Sequence, residues 1–208
     1  MPQKTHTQAT FDNALKAIFA VLKPLGFRKK GANFYRPAEP VSWVVNVQKS
    51  QSSERFCCQF TLNLGVFEPK FWLQFYDYQH KNTLPDFPSE AECLIRMRIN
   101  KLLNHNQLWH EINEQTDPNR LIAHLQNEAL SGALTFFERF SSLEKIAWAL
   151  QNDDSLNVTP VGKLIFYGEH QWQDKAQTEY QNLLKTANPL FLSNLRRYAT
   201  KYGLNTSD

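Results

Sequence analysis

Seven polar side chains in this sequence have the types and spacing for recognition chemistry: Asn46, Gln48, Gln59, Thr61, Asn63, Arg96 and Arg98. Two alternating runs carry most of them. In residues 41–49 the apolar set is Val41, Trp43, Val45 and Val47, against Ser42, Asn46 and Gln48. In residues 55–67, Phe56, Cys58, Phe60, Leu62, Leu64 and Val66 fall on one side and Cys57, Gln59, Thr61 and Asn63 on the other, because strand side chains repeat every two residues. Read as a strand, the segment after Cys93 adds Arg96 and Arg98 to the polar side. Amides both donate and accept hydrogen bonds, and arginine adds a planar fork suited to carboxylate or phosphate. Such a face could grip a protein or a small anion; the plainer reading is a sheet that shows water its polar side.

Nucleophilic and metal chemistry find less support. Cys58 and Cys93 fall on the apolar side of their runs, where a thiol behaves as a small hydrophobe. Cys57 points to the polar side and would react only beside a base. Neighbouring Cys57 and Cys58 face opposite ways on a strand, so they do not share one metal tetrahedron. The histidines His80, His105, His110, His124 and His170 show no spacing that pairs them with Cys57. His105 and His110 would lie about 140° apart on a helix and on opposite faces of a strand, so surface or capping positions are expected for them. No catalytic residue, metal ligand or cofactor is assigned. Arg28, Lys29 and Lys30, with Arg36, are the candidate phosphate patch. The near-balanced net charge favours a solvated turn there, and nucleic acid is not expected as a partner.

Composition bounds these readings. The 208 residues carry 23 Lys and Arg against 20 Asp and Glu, a formal net charge of +3, which gives no electrostatic case for a polyanion. Only 7 glycines are present, which argues against a glycine-rich nucleotide loop. A chain of this length buries about 70% of its unfolded surface, so neither a disulfide nor a metal is required to hold it. Three cysteines, an odd count, fit a reduced, cytoplasmic setting. Residues 1–10 lack the apolar core of a leader peptide, and no run approaches the roughly 20 apolar residues of a membrane span. No membrane association is expected.

The elements that must position these groups can be traced by periodicity. Thr10 followed by Phe11, Leu15, Ile18, Phe19 and Leu22 predicts an amphipathic helix capped by Thr10 and ending at residues 24–26. A basic turn over 28–31 leads to a first strand over 33–36, interrupted by Pro37 and Pro40. The two alternating strands follow, joined by a polar loop over 50–54. Residues 93–103 fit a strand with Cys93, Ile95, Met97 and Ile99 inward, or a helix with Ile95, Ile99, Leu102 and Leu103 in a stripe. The sustained alternation favours the strand, and 108–112 reads as one more.

Helices dominate the rest. Asp117 before Pro118 opens one whose apolar face is Leu121, Ile122, Leu125, Ala129 and Leu130. Ser141 with Glu144 forms a capping box for the next. Further helices are predicted over 161–167 and 172–187 and between Pro189 and Gly203. The polar stretch 151–160 divides an α+β domain (1–150) from a helical extension (151–208) packed on it. The expected class is α+β: an antiparallel sheet of four to five strands, with an N-terminal helix and a C-terminal helical bundle on one face.

Four short motifs follow this order of elements: the run Leu22-Lys23-Pro24-Leu25-Gly26-Phe27, then Phe34-Tyr35-Arg36, Gln48-Lys49-Ser50 after the Trp43 strand, and Asn63-Leu64-Gly65-Val66. In them the chain resembles the bacterial family known only as domain of unknown function 4304. Arg96, Arg98 and Trp109 also fall where that pattern puts them. It extends over roughly residues 11–150 and implies a fold and a bacterial cytoplasmic setting, but no activity. The function expected is a non-enzymatic protein-binding module, with an immunity protein that occludes a toxin as its specific form. The alternative is a binding protein or enzyme for a small anionic ligand, anchored by Arg96 and Arg98 under a lid over residues 71–78.

Overall fold

The structure, a computed structural model, describes residues 4–77, 83–107 and 109–206. Its first element is helix α1 (His6–Leu22), which starts earlier than predicted. Thr5 is the cap, its hydroxyl accepting from the Gln8 amide, while Thr10 lies inside the helix and is buried. A 3-10 turn (Lys23–Leu25) ends at Gly26, whose φ of 89° favours a residue without a Cβ.

Among the described residues seven strands form one antiparallel sheet: β1 (Arg28–Lys30), β2 (Asn33–Arg36), β3 (Ser42–Lys49), β4 (Cys58–Phe67), β5 (Ile95–Arg98), β6 (His110–Ile112) and β7 (Asn157–Val158). Their order is β1-β2-β3-β4-β5-β7, with β6 paired to the start of β4. The sheet is wider than the four to five strands expected because β1 and β7 span only three and two residues, too few to show alternation. The basic segment read as a turn is strand β1, and the reversal itself falls at Gly31 and Ala32. β7 lies within the polar stretch 151–160 and pairs with β5, so the chain that follows starts from the sheet edge.

The cross-strand register fixes both faces. Phe34, Val45, Leu64 and Met97 stand side by side across β2, β3, β4 and β5, and all face the main core. In the next row Asn33, Asn46, Asn63 and Arg98 face the other way. Beneath the apolar face lie α1 (through Phe11, Ile18 and Leu22), α4 (Pro118–Asn127), α5 (Ala133–Glu138), α6 (Leu143–Asn152) and α7 (Gly162–Glu169). Trp43 faces this core as predicted, stacked on Phe137 with ring centroids 4.9 Å apart. Helices α8 (Gln173–Leu184) and α9 (Pro189–Tyr202, closed by Gly203) pack outside α7 through Tyr180, Leu195 and Tyr198. Among the described residues no helix is long and apolar enough to cross a membrane.

A second, smaller cluster covers one end of the polar face. It contains Tyr35, Val44, Phe67, Trp72 and Cys93, with Tyr76 and Phe87 against them. Trp72 comes from helix α2 (Pro69–Phe75), whose Phe71 reaches the main core instead. Phe71 and Trp72 are therefore core residues that anchor this segment rather than parts of a free flap, and Tyr78 and His80 lie outside the described residues. Cys93 is buried, but on the opposite side of the sheet from Ile95 and Met97: it precedes β5 at the end of a 3-10 turn (Glu90–Glu92) and sits over Gly65.

Other boundaries shift for local reasons. Segment 93–103 is both things considered, strand β5 and then the short helix α3 (Ile99–Leu102). Phe56 precedes β4 and is exposed, outside the alternation that assigned it to the apolar face. Asp117 caps α4 as predicted. Leu130 is exposed because residues Glu128–Gly132 form a π turn, which breaks the 3.6-residue phase of its stripe. The cap of α6 is Ser142, accepting from the Lys145 amide, while Ser141 instead donates to Glu138. Leu108, predicted to open β6, lies outside the described residues.

Candidate functional site

All seven polar residues singled out by their spacing share one sheet face, because the register pairs Asn46 with Asn63, Gln48 with Thr61, and Asn63 with Arg98. They differ in what they offer. The Asn46 amide donates to Asn33 Oδ1 at 2.7 Å, and Asn63 donates to Asn46 Oδ1 at 3.3 Å and to Gln48 Oε1 at 2.8 Å. Asn63 is buried beneath this ladder. Thr61 is also buried and donates to Asn100 Oδ1 at 3.4 Å. Gln59 reaches Glu111 Oε2 on β6 at 3.3 Å.

The two arginines are not equivalent. Arg96 makes a fork with Glu90, Nε to Oε1 at 2.7 Å and Nη2 to Oε2 at 3.2 Å. That carboxylate raises the arginine's already high pKa. Arg98 instead lies over the Trp109 ring, 5.0 Å from its centroid, and has no salt bridge among the described residues. Both arginines line an open groove of about 520 Å³ with Gln48, Asn63, Lys101 and Asn157.

The basic run does not make a single patch. Alternation in β1 places Lys29 beside Phe34 on one face, while Arg28 and Lys30 sit opposite Tyr35 and Asn33 on the other. Arg36 lies over Trp43, 4.2 Å from the ring centroid, on the core side of the sheet. The cysteines show no activated thiol. Burial pushes the thiols of Cys58 and Cys93 up, and the half-buried Cys57 is raised by desolvation and by Glu111 and Glu54.

The structure also gathers a group that spacing arguments missed. His110 is not a surface residue: it stands on β6 opposite Phe60, its side chain 8% exposed. Its Nε2 lies 3.0 Å from Oε2 of Glu128, a carboxylate that is 2% exposed. His124 Nε2 is 3.2 Å and His105 Nδ1 3.4 Å from Glu128 Oε1. His105 comes from the loop after α3, His124 from α4, and Glu128 from the first position of the π turn. The three histidines form one wall of an open cleft of about 640 Å³, also lined by Asn100, Trp109 and Leu121. The sequence held one signal for it, the i, i+4 spacing of His124 and Glu128, which puts both on one helix face. Nothing in the sequence brings His105 and His110 to that face.

An α+β chain with an antiparallel sheet over a helical layer is the class these observations define. Residues 18–139, more than half of the chain, match the family model described as Domain of unknown function (DUF4304). The chain belongs to this family, and both the sheet face and the histidine cluster lie inside the matched segment. No curated protein and no solved structure matches it.

Proposed function

We propose that the chain is a cytoplasmic, non-enzymatic protein-binding module, and that the polar face of its sheet takes the partner. Arg98 carries this reading. Its guanidinium is held by the Trp109 ring, has no carboxylate partner among the described residues, and lines the groove beside Gln48. The ladder of Asn33, Asn46, Asn63 and Gln48 fixes the neighbouring amides in advance, which lowers the ordering cost of association. A protein loop bearing a carboxylate would take a forked bond from Arg98 and directional bonds from these amides. In its narrower form the partner is a toxin, and the module is an immunity protein that neutralises it by occlusion. A small anion would depend on Arg98 more than on Arg96, which is committed to Glu90.

The test is affinity purification of the tagged chain from its native host, with quantitative mass spectrometry, alongside an Arg98→Glu variant whose folding is checked by circular dichroism. One protein recovered at near-equal stoichiometry with the wild type and lost with the variant is the expected result. Equal recovery with both, or recovery of a metabolite alone, overturns it.

A further inference from the structure

Glu128 presents a chemical problem that the surrounding protein does not solve. Its carboxylate is 2% exposed, and among the described residues neither oxygen accepts a well-formed hydrogen bond. His110 Nε2 is likewise buried without a hydrogen-bond partner among the described residues, although it lies only 3.0 Å from Glu128 Oε2. Buried polar atoms of this kind are destabilising unless something pairs with them. The unpartnered atoms all point into the same small volume. One donor atom each from His110, His124 and Glu128 lies within 4.8 Å of the other two.

The geometry points to a binding site for one divalent transition-metal ion of the zinc class, with His110, His124 and Glu128 as ligands and the remaining position facing the cleft. Zinc bonds of about 2.0–2.1 Å to nitrogen and oxygen, arranged tetrahedrally, place neighbouring ligand atoms about 3.3 Å apart. His110 Nε2 and His124 Nε2 lie 3.0 and 3.2 Å from oxygens of the one Glu128 carboxylate, close to that spacing.

Charge fits as well. Two neutral imidazoles and one carboxylate leave a divalent ion with a net single positive charge, whereas a lone carboxylate offsets at most one imidazolium. The donor set selects the metal, since imidazole suits zinc, copper, iron and nickel, and an all-oxygen shell would suit magnesium or calcium.

The backbone is arranged around the same point. His124 and Glu128 occupy successive turns of one helical face, and Glu128 opens the π turn. Turns of this kind are concentrated where a side chain must be re-aimed at a functional site. Gly132 at the end of that turn admits close contact with Ile99 of α3, which ties the turn to the loop that carries His105. The adjoining cleft leaves one side of the site open to solvent. None of these ligands belongs to the polar sheet face, so the inference stands apart from the binding function proposed above.

The site is tested on the full-length chain after chelator treatment, by zinc titration calorimetry and by competition with a chromophoric chelator. One equivalent of zinc is expected, with a rise in melting temperature, and cobalt(II) should give the visible absorption of a four-coordinate nitrogen–oxygen site. Magnesium and calcium should give no such response. His124 is half exposed and dispensable for packing, so His124→Ala should fold normally yet bind zinc at least about tenfold more weakly, the minimum seen when even a supporting residue is lost. Glu128→Gln keeps the shape of the side chain and should abolish tight binding. Absence of saturable zinc binding by the wild type, or equal affinity in the His124→Ala and Glu128→Gln variants, overturns the site.

Discussion

Arg98 and Trp109 form a shared wall between two concavities: the guanidinium carbon lies 5.0 Å from the indole centroid, the arginine lining the groove on the polar sheet face and the indole lining the histidine cleft. A stack of this kind at a partly exposed position is worth about 0.5–1 kcal/mol. Arg98→Ala should therefore lower the unfolding free energy in urea by about 1 kcal/mol or less. A larger loss would mean that Arg98 is a structural residue, and that partner binding by its variants cannot be read as recognition.

Gly65 and Cys93 are packed so that a Cβ on the glycine would overlap the cysteine side chain. Gly65 sits toward the end of β4, paired on both sides with Val44 and Arg96, so the strand has little room to retreat. Gly65→Ala should cost about 1–3 kcal/mol by overpacking. The same substitution in a Cys93→Ala background should cost less, because the bulk it meets is reduced and neighbouring changes are not additive. Denaturant melts of the four proteins in this cycle measure the difference; equal costs in both backgrounds would show that backbone propensity, not the contact, sets the penalty.

Thiol labelling gives a pH-dependent check on the same face. Desolvation raises the Cys57 pKa, and the Glu111 and Glu54 carboxylates raise it further. The thiolate is the reacting form, so at a given pH less of it is present than for an ordinary cysteine, and the labelling rate should climb through a midpoint displaced to higher pH. Glu111→Gln removes one of the raising charges and should move that midpoint down. Cys58 and Cys93 are buried, so one thiol should react in the native chain and three after denaturation. Faster native labelling at Cys93 would contradict its position over Gly65.

What could be read in advance follows from the reach of each signal. Alternation over the ten residues of β4 and the eight of β3 was long enough to define both faces, and so it placed Asn46, Gln48, Gln59, Thr61 and Asn63 together. The caps at Asp117 and Gly203 were legible because their chemistry is local. Cys93 was misplaced because it lies just before β5, where alternation no longer applies. The histidine cluster was hidden for a different reason. It depends on β6 pairing with β4 and on a π turn after α4, long-range and irregular features with no period of their own. Mutual saturation of the amides was likewise invisible, since periodicity gives a side chain's face but not its hydrogen-bond partner.

The amide ladder itself can be measured. Asn63 is buried and donates to both Asn46 and Gln48, whereas those two reach water. Removing the donor therefore leaves acceptors that solvent can satisfy, and Asn63→Ala should cost about 1–2 kcal/mol rather than the full penalty of stranded buried groups. Gln48→Ala alone should cost well under that, because Gln48 is exposed. Their double variant should show a coupling of about 0.5–1.5 kcal/mol, the worth of the 2.8 Å bond between them. If the two substitutions instead add independently, the bond is not formed in solution. The outward amides would then sample several rotamers, and the face would lose the preorganisation on which its proposed recognition of a partner depends.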